Sequence, residues 1–246
     1  MSKVILFRQK GSFKKTERFL KGVSAGRLDA VLAGYGQKGV EALAAVGSVG
    51  GLNYLVLGFV NGIACGFSIP ISWTFGAKDY KEMRRYTANT VWLSIFFAVV
   101  LTIVTVALTR SVLVWTNTPE NIIDLADIYI RTIFAGIPFT LLYNVTSALM
   151  RALGDSKSAL YFLMISSVLN IGGDLFFVQV LNWGSNGCAL STVVSEALCC
   201  VLCVLYIRWK VPILQLGRRW LVFDGKLLRK TVSYGWASAM QQATVQ

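Results

Sequence analysis

Residues 161–180 read YFLMISSVLNIGGDLFFVQV, twenty almost wholly apolar residues that carry one carboxylate, Asp174. At about 1.5 Å per residue, such a helix matches a hydrocarbon core of about 30 Å. Asn170 precedes Asp174 by four residues and Ser167 precedes Asn170 by three, so a helix presents hydroxyl, amide and acid on one face. An Asp at the centre of a membrane helix costs roughly 2.5–3.5 kcal/mol on insertion scales, so Asp174 is either a candidate functional residue facing the protein interior or a wet cavity, or an acid near the helix end that reaches the interface. A second acid, Glu196, interrupts the apolar run 188–207, with Thr192 four residues before it on the same face. Thr in membrane helices also bonds its own backbone, so Thr192 is open to both roles. No His, no metal-ligand cluster and no GxSxG-type nucleophile accompanies these acids, and enzyme chemistry is not expected.

The elements that must position these residues follow from composition. The chain has 246 residues, 55% of them hydrophobic and 15% charged. A soluble domain this apolar would expose large patches, whereas a polytopic membrane protein is built this way. The net charge of +12 would suggest nucleic acid in a soluble chain. Here the charges lie between hydrophobic runs, and no nucleic-acid partner is expected. Five cysteines stand in or beside apolar runs without zinc-type spacing and read as small buried hydrophobes.

Six helices are expected, at about 23–36, 42–73, 86–110, 120–150, 158–180 and 188–208, making an all-α lobe over residues 23–209. A basic tail, 1–22, precedes it, a basic loop, 210–230, follows, and residues 231–246 begin a seventh helix. The segment 23–36 is too short to span alone, since it reaches only about 21 Å. Gly58, Gly62 and Gly66 repeat every four residues, a stripe that lets a neighbouring helix approach closely in lipid. Thr118 and Pro119 are placed to cap and open the fourth helix, and Pro138 to kink it. Twenty of the 24 Lys and Arg fall in the tail, in the loops near 78–85 and 151–157, and in 208–230. By the positive-inside rule these are cytoplasmic, so the N-terminus is inside and the protein is a multi-pass component of the cell membrane, with membrane lipids as its surroundings.

Four blocks then carry a family resemblance: LDAVLAGYGQKGVEALAAVGSVGGLNYLVLGFVNGIACGFSIPISWTFGAKDYKEMRR (28–85), NVTSALMRALGDSKSAL (144–160), LNIGGDLFFV (169–178) and GCALSTVVSEAL (187–198). In this order they resemble the first through sixth helices of the multidrug and toxic compound extrusion (MATE) antiporters of the MOP superfamily. The resemblance implies two six-helix lobes around a cavity that opens alternately to either side, exporting small organic cations in exchange for H⁺ or Na⁺. This chain would supply the N-terminal lobe and the first turns of a second. The resemblance also implies a cation or proton site made of Asp29, Asn170, Asp174 and Thr192, with Glu196 as an additional intramembrane acid and no cofactor beyond the coupling ion. One departure is the basic stretch GSFKKTERFLKGVSAGR (11–27), where the family has a hydrophobic run with a proline.

Three functions compete on these grounds. The first is a cation-coupled exporter represented by one lobe. The second is a truncated product that does not transport, or a half-transporter needing a second lobe or a homodimer, because alternating access requires two repeats. The third is a lipid-linked oligosaccharide or polysaccharide flippase of the same superfamily, which would want Arg or Lys within its spans for pyrophosphate, where Arg131 is nearly alone.

Overall fold

The computed structural model describes residues 44–214 and 224–245. The expected first helix at 23–36, with Asp29, and much of the basic loop 210–230 lie outside the described residues. Every described element is helical, and all but the first described residue belong to one compact unit, Ala45–Gln246.

Helix α1 (Gly50–Gly76), preceded by helical residues 44–48, runs three residues past the boundary expected at 73. It ends in a tight turn with Lys78 at φ 58°, after which Asp79 accepts the N–H of Glu82 at 3.0 Å and opens α2 (Tyr80–Trp115). At 36 residues, α2 is about 54 Å long and exceeds the expected 86–110 at both ends. Apolar periodicity marks only its lipid-depth part, whereas the polar first turns continue the helix beyond it. One face of α2 is buried (Met83, Tyr86, Asn89, Thr90, Leu93, Ser94). The opposite face exposes Trp92, Ile95, Phe96, Val99 and Ile103, as lipid contact requires.

The span expected at 120–150 is two helices, α3 (Glu120–Ala135) and α4 (Ile137–Ala152), bent by 44° at Gly136. Pro138 falls in the first turn of α4, where its missing N–H costs no internal bond, so it starts a helix rather than kinking one. The expected Thr118 cap is also not formed. Pro119, at φ −57° and ψ 140°, takes the capping position without a side-chain bond, and Thr118 turns its hydroxyl to Thr116 at 3.2 Å. Arg131 pairs with Asp127 one turn back at 3.0 Å.

Helix α5 (Ser156–Leu175) begins on Asp155, which accepts the N–H of Ser158 at 3.1 Å, and continues as a π turn, Phe176–Val180. Helix α6 (Gly184–Lys210) returns and is followed by a 3₁₀ turn, Pro212–Leu214. Helix α7 (Gly225–Val245) begins six residues before the start expected at 231, its first turns polar. Asp224 anchors that start: it accepts the N–H of Lys226 at 3.0 Å and pairs with Arg85 of α2 at 2.6 Å. Four of these helices are long and apolar enough to cross a membrane, five if the bent α3–α4 pair is taken as one span.

The core is shared by α1 (Ile63, Phe67, Ile71), α3 (Ile130, Ile133) and α4 (Ile137, Leu141). Helix α5 stands outside it, with Ala159 its one fully buried residue and Leu160, Tyr161, Leu163, Met164 and Val168 exposed. The helix that carries Asn170 and Asp174 is therefore a peripheral one. Its attachment runs along α6.

Candidate functional site

Two glycines set how closely the site helices meet. A Cβ on Gly173 of α5 would lie 2.4 Å from Ser191 Oγ on α6, and one on Gly187 of α6 would lie 3.0 Å from Phe177 Cβ in the π turn. At that separation polar groups bond directly across the interface. Ser191 Oγ donates to the Asn170 carbonyl at 2.9 Å, and Asn170 Nδ2 donates to Thr192 Oγ1 at 3.0 Å. The Thr192 hydroxyl in turn donates to the Cys188 carbonyl at 3.0 Å. Thr192 thus bonds its own backbone with its hydrogen and accepts Asn170 with a lone pair. The amide oxygen of Asn170 is not used in either cross-helix bond.

Asp174 follows one turn after Asn170, half-buried in the last turn of α5 before the backbone widens into the π turn. Tyr129 of α3 is within electrostatic reach of Asp174 and of Cys188. No sequence argument singled out Tyr129. Its signal was its place on the inward stripe Ile122, Ala126, Ile130, Ile133 of α3, where a phenol among aliphatic residues brings a polar tip to a buried face. Ser167, the third member of the expected α5 face, is exposed and spends its hydroxyl on the Leu163 carbonyl at 3.0 Å. Asp29 lies outside the described residues.

Glu196 belongs to a different constellation. Although it follows Thr192 by one turn, it faces α4, where Thr140 donates its hydroxyl to Glu196 Oε2. Thr140 is buried, and its Oγ1 also lies 3.3 Å from the Gly136 carbonyl at the bend. Gly136 permits the arrangement, since a Cβ there would fall 2.5 Å from Val193 Cγ2 of α6.

The glycine stripe faces α7. A Cβ on Gly62 would be 2.5 Å from Ala239 Cα, and one on Gly66 2.5 Å from Gly235 Cα, while Gly58 is buried. Because 62 meets 239 and 66 meets 235, α1 and α7 run antiparallel, and edge-to-face ring pairs Phe59–Trp236 and Trp73–Tyr234 flank the contact. Cys199, Cys200 and Cys203 are free and buried among Tyr143, Met150 and Ala159. Among the described residues no cluster of His, Cys, Asp and Glu could hold a metal ion.

Comparison with known proteins places this arrangement in a family. The MatE family model matches residues 23–176. The protein named "Probable multidrug resistance protein YoeA" of Bacillus subtilis is 33% identical over 214 residues, 83% of this chain and 46% of its own. The solved structure of an outward-facing multidrug resistance MATE family transporter of the MOP superfamily superposes with a TM-score of 0.79 at 22% identity, over 92% of this chain and 49% of that one. A MOP superfamily transporter from Pyrococcus furiosus gives a TM-score of 0.80 at 22% identity, with the same coverage of this chain and 49% of its own. The chain spans about half the length of the curated relatives it matches. With the family model covering well over half its residues and the helical lobe reproduced, the chain belongs to the MatE family of membrane transporters.

Proposed function

We propose that this chain is the N-terminal lobe of an exporter that moves small organic cations out of the cell in exchange for H⁺ or Na⁺. The observation that carries this is the bond from Asn170 to Thr192 across α5 and α6, one turn from Asp174. It holds neutral oxygens beside a carboxylate in an apolar setting, the donor set that suits a hard cation, or a proton stabilised by hydrogen bonds. Asp29, which the family resemblance assigns to the same site, is proposed as the partner carboxylate.

In this mechanism, binding of the coupling ion neutralises Asp174. An acid no longer needing hydration can then move toward lipid or protein at lower cost. The π turn that begins two residues after Asp174 and closes the helix is the local irregularity through which that change would reach the end of α5. The cavity in which the organic cation binds would form between this lobe and a second, carried by the same gene product or by a partner. Lys78, Lys81, Arg84, Arg151, Lys157, Arg208 and Lys210 gather at the helix ends opposite Glu120, Asp124 and Asp127, which supports a cytoplasmic N-terminus. The curated relative's name, a multidrug resistance protein, supports the substrate class.

The test is accumulation of a fluorescent organic cation in proteoliposomes under an imposed H⁺ or Na⁺ gradient. Accumulation that collapses when the gradient is dissipated is expected. Equal uptake with and without either gradient would contradict cation coupling.

A further inference from the structure

Glu196 is a carboxylate that the exchange proposed at Asp174 does not use. It sits half-buried on α6, four residues and so about 6 Å beyond Thr192 toward the end marked by Arg208 and Lys210. Its Oε2 accepts the hydroxyl of Thr140, a buried residue in the first turn of α4. That hydroxyl has a second acceptor within reach, the Gly136 carbonyl at 3.3 Å. A hydroxyl carries one hydrogen, so the two acceptors compete for it, and an ionised carboxylate is the stronger.

The charged surroundings are sparse. Tyr143 of α4 and Cys199 of α6 are within electrostatic reach of Glu196. Of the other elements packed on α6, α5 carries Lys157, Tyr161 and Asp174, α3 carries Glu120, Asp124, Tyr129 and the mutually paired Asp127 and Arg131, and the π and 3₁₀ turns carry no ionisable side chain. Arg151 stands further along α4, bonded to Ser147 at 2.8 Å. Among the described residues, Glu196 makes no ion pair. A carboxylate at lipid depth whose one hydrogen-bond partner is a neutral hydroxyl carries a charge that a bound proton removes.

We infer that Glu196 and Thr140 form a second proton-binding site, separate from Asp174, whose occupancy decides which acceptor holds the Thr140 hydrogen at the bend between α3 and α4. With the site empty, the hydroxyl donates to the carboxylate. On uptake, a proton from the aqueous phase adds to Glu196 Oε2 and the charge rises from −1 to zero. The new acid O–H donates to Thr140 Oγ1, and the Thr140 hydrogen turns to the Gly136 carbonyl. Back-bonding of this kind bends helices, so the protonated state favours the bent α3–α4 pair. The site stands whether or not Asp174 couples transport.

Infrared titration of the purified protein in lipid nanodiscs reads the site without any transport assay. In the Asp174→Asn protein, a protonated-carboxyl C=O band is expected to persist above about pH 5, where exposed carboxyls are ionised. Adding Glu196→Gln should remove that band. Thr140→Val should move it to higher frequency by removing the hydrogen bond, while Thr140→Ser leaves it in place. Absence of such a band above about pH 5, its survival in Glu196→Gln, or the same frequency in Thr140→Val would overturn the inference. Circular dichroism and a monodisperse elution profile establish that each variant is folded, and should Glu196→Gln fail this, the two Thr140 variants test the same contact.

Discussion

Asn170 on α5 donates its side-chain amide to the hydroxyl of Thr192 on α6 at 3.0 Å, and that hydroxyl hands its own hydrogen to Cys188. A peripheral helix is thereby tied to its neighbour at the level of the proposed ion site. Thr192→Val keeps the shape and removes the acceptor. It should cost about 0.6 to 1.5 kcal/mol, the range for hydrogen bonds between membrane helices and within proteins. In a double-mutant cycle with Asn170→Ala, measured by thermal unfolding in detergent, a coupling of that size is expected, and Thr192→Ser should restore it. Strict additivity would remove the bond from the account.

The stripe on α1 allows a direct contrast between two glycines. Gly66 lies against the backbone of Gly235, whereas a Cβ on Gly76 meets nothing within 4 Å. Gly66→Ala should destabilise by at least about 1–3 kcal/mol through overpacking against backbone that cannot yield. Gly76→Ala should be neutral or slightly stabilising. Equal melting temperatures for the two variants would show that α7 does not rest on this stripe.

At the bend, Gly136 and Val193 form a second size-matched pair, with a Cβ on Gly136 falling 2.5 Å from a valine methyl. Gly136→Ala should destabilise by about 1–3 kcal/mol. Val193→Ala, combined with it, should recover a large part of that loss, because the clash is with a side chain that can be shortened. A double variant no more stable than Gly136→Ala alone would place the strain in the backbone instead.

Outside the lipid-depth region, Asp155 links the starts of α5 and the end of α6 by accepting the Tyr206 hydroxyl at 3.0 Å. Burial alone would raise its carboxyl, but hydrogen bonds from the Ser158 side chain and backbone and from Tyr206 outweigh this and hold it below the usual carboxylate value. A carboxyl lowered by folding contributes stability above its unfolded value, about 3.9, and loses it as pH falls through the folded one. Tyr206→Phe should therefore cost up to about 1 kcal/mol near neutral pH. The gap to wild type should close below about pH 4. A gap that is constant from pH 7 to pH 3 would contradict the linkage.

The spans were legible because each carries a long apolar run, and the acids because each breaks one. Helical spacing singles out Asn170 and Asp174, the family resemblance adds Thr192, and the structure brings Asn170 and Thr192 into contact. Glu196 was visible as an acid, but its partner was not. Thr140 is one of many threonines, and only the bend at Gly136 turns it toward α6. From sequence that bend points to Pro138, since a proline early in an apolar run reads the same whether it kinks a helix or begins one. The starts of α2 and α7 are hidden for a related reason: polar helical turns outside the lipid have no apolar signature, and capping by Asp79 and Asp224 decides them.

The central claim is that Asp174, beside the Asn170–Thr192 pair, carries the coupling ion. Gradient-driven uptake of a fluorescent organic cation into proteoliposomes, compared between wild type and Asp174→Asn, tests it most directly. A folded Asp174→Asn protein should lose gradient-driven accumulation by at least about tenfold, the effect of removing roughly 1.4 kcal/mol of coupling. Accumulation that follows the imposed gradient as it does in wild type would remove Asp174 from the coupling site.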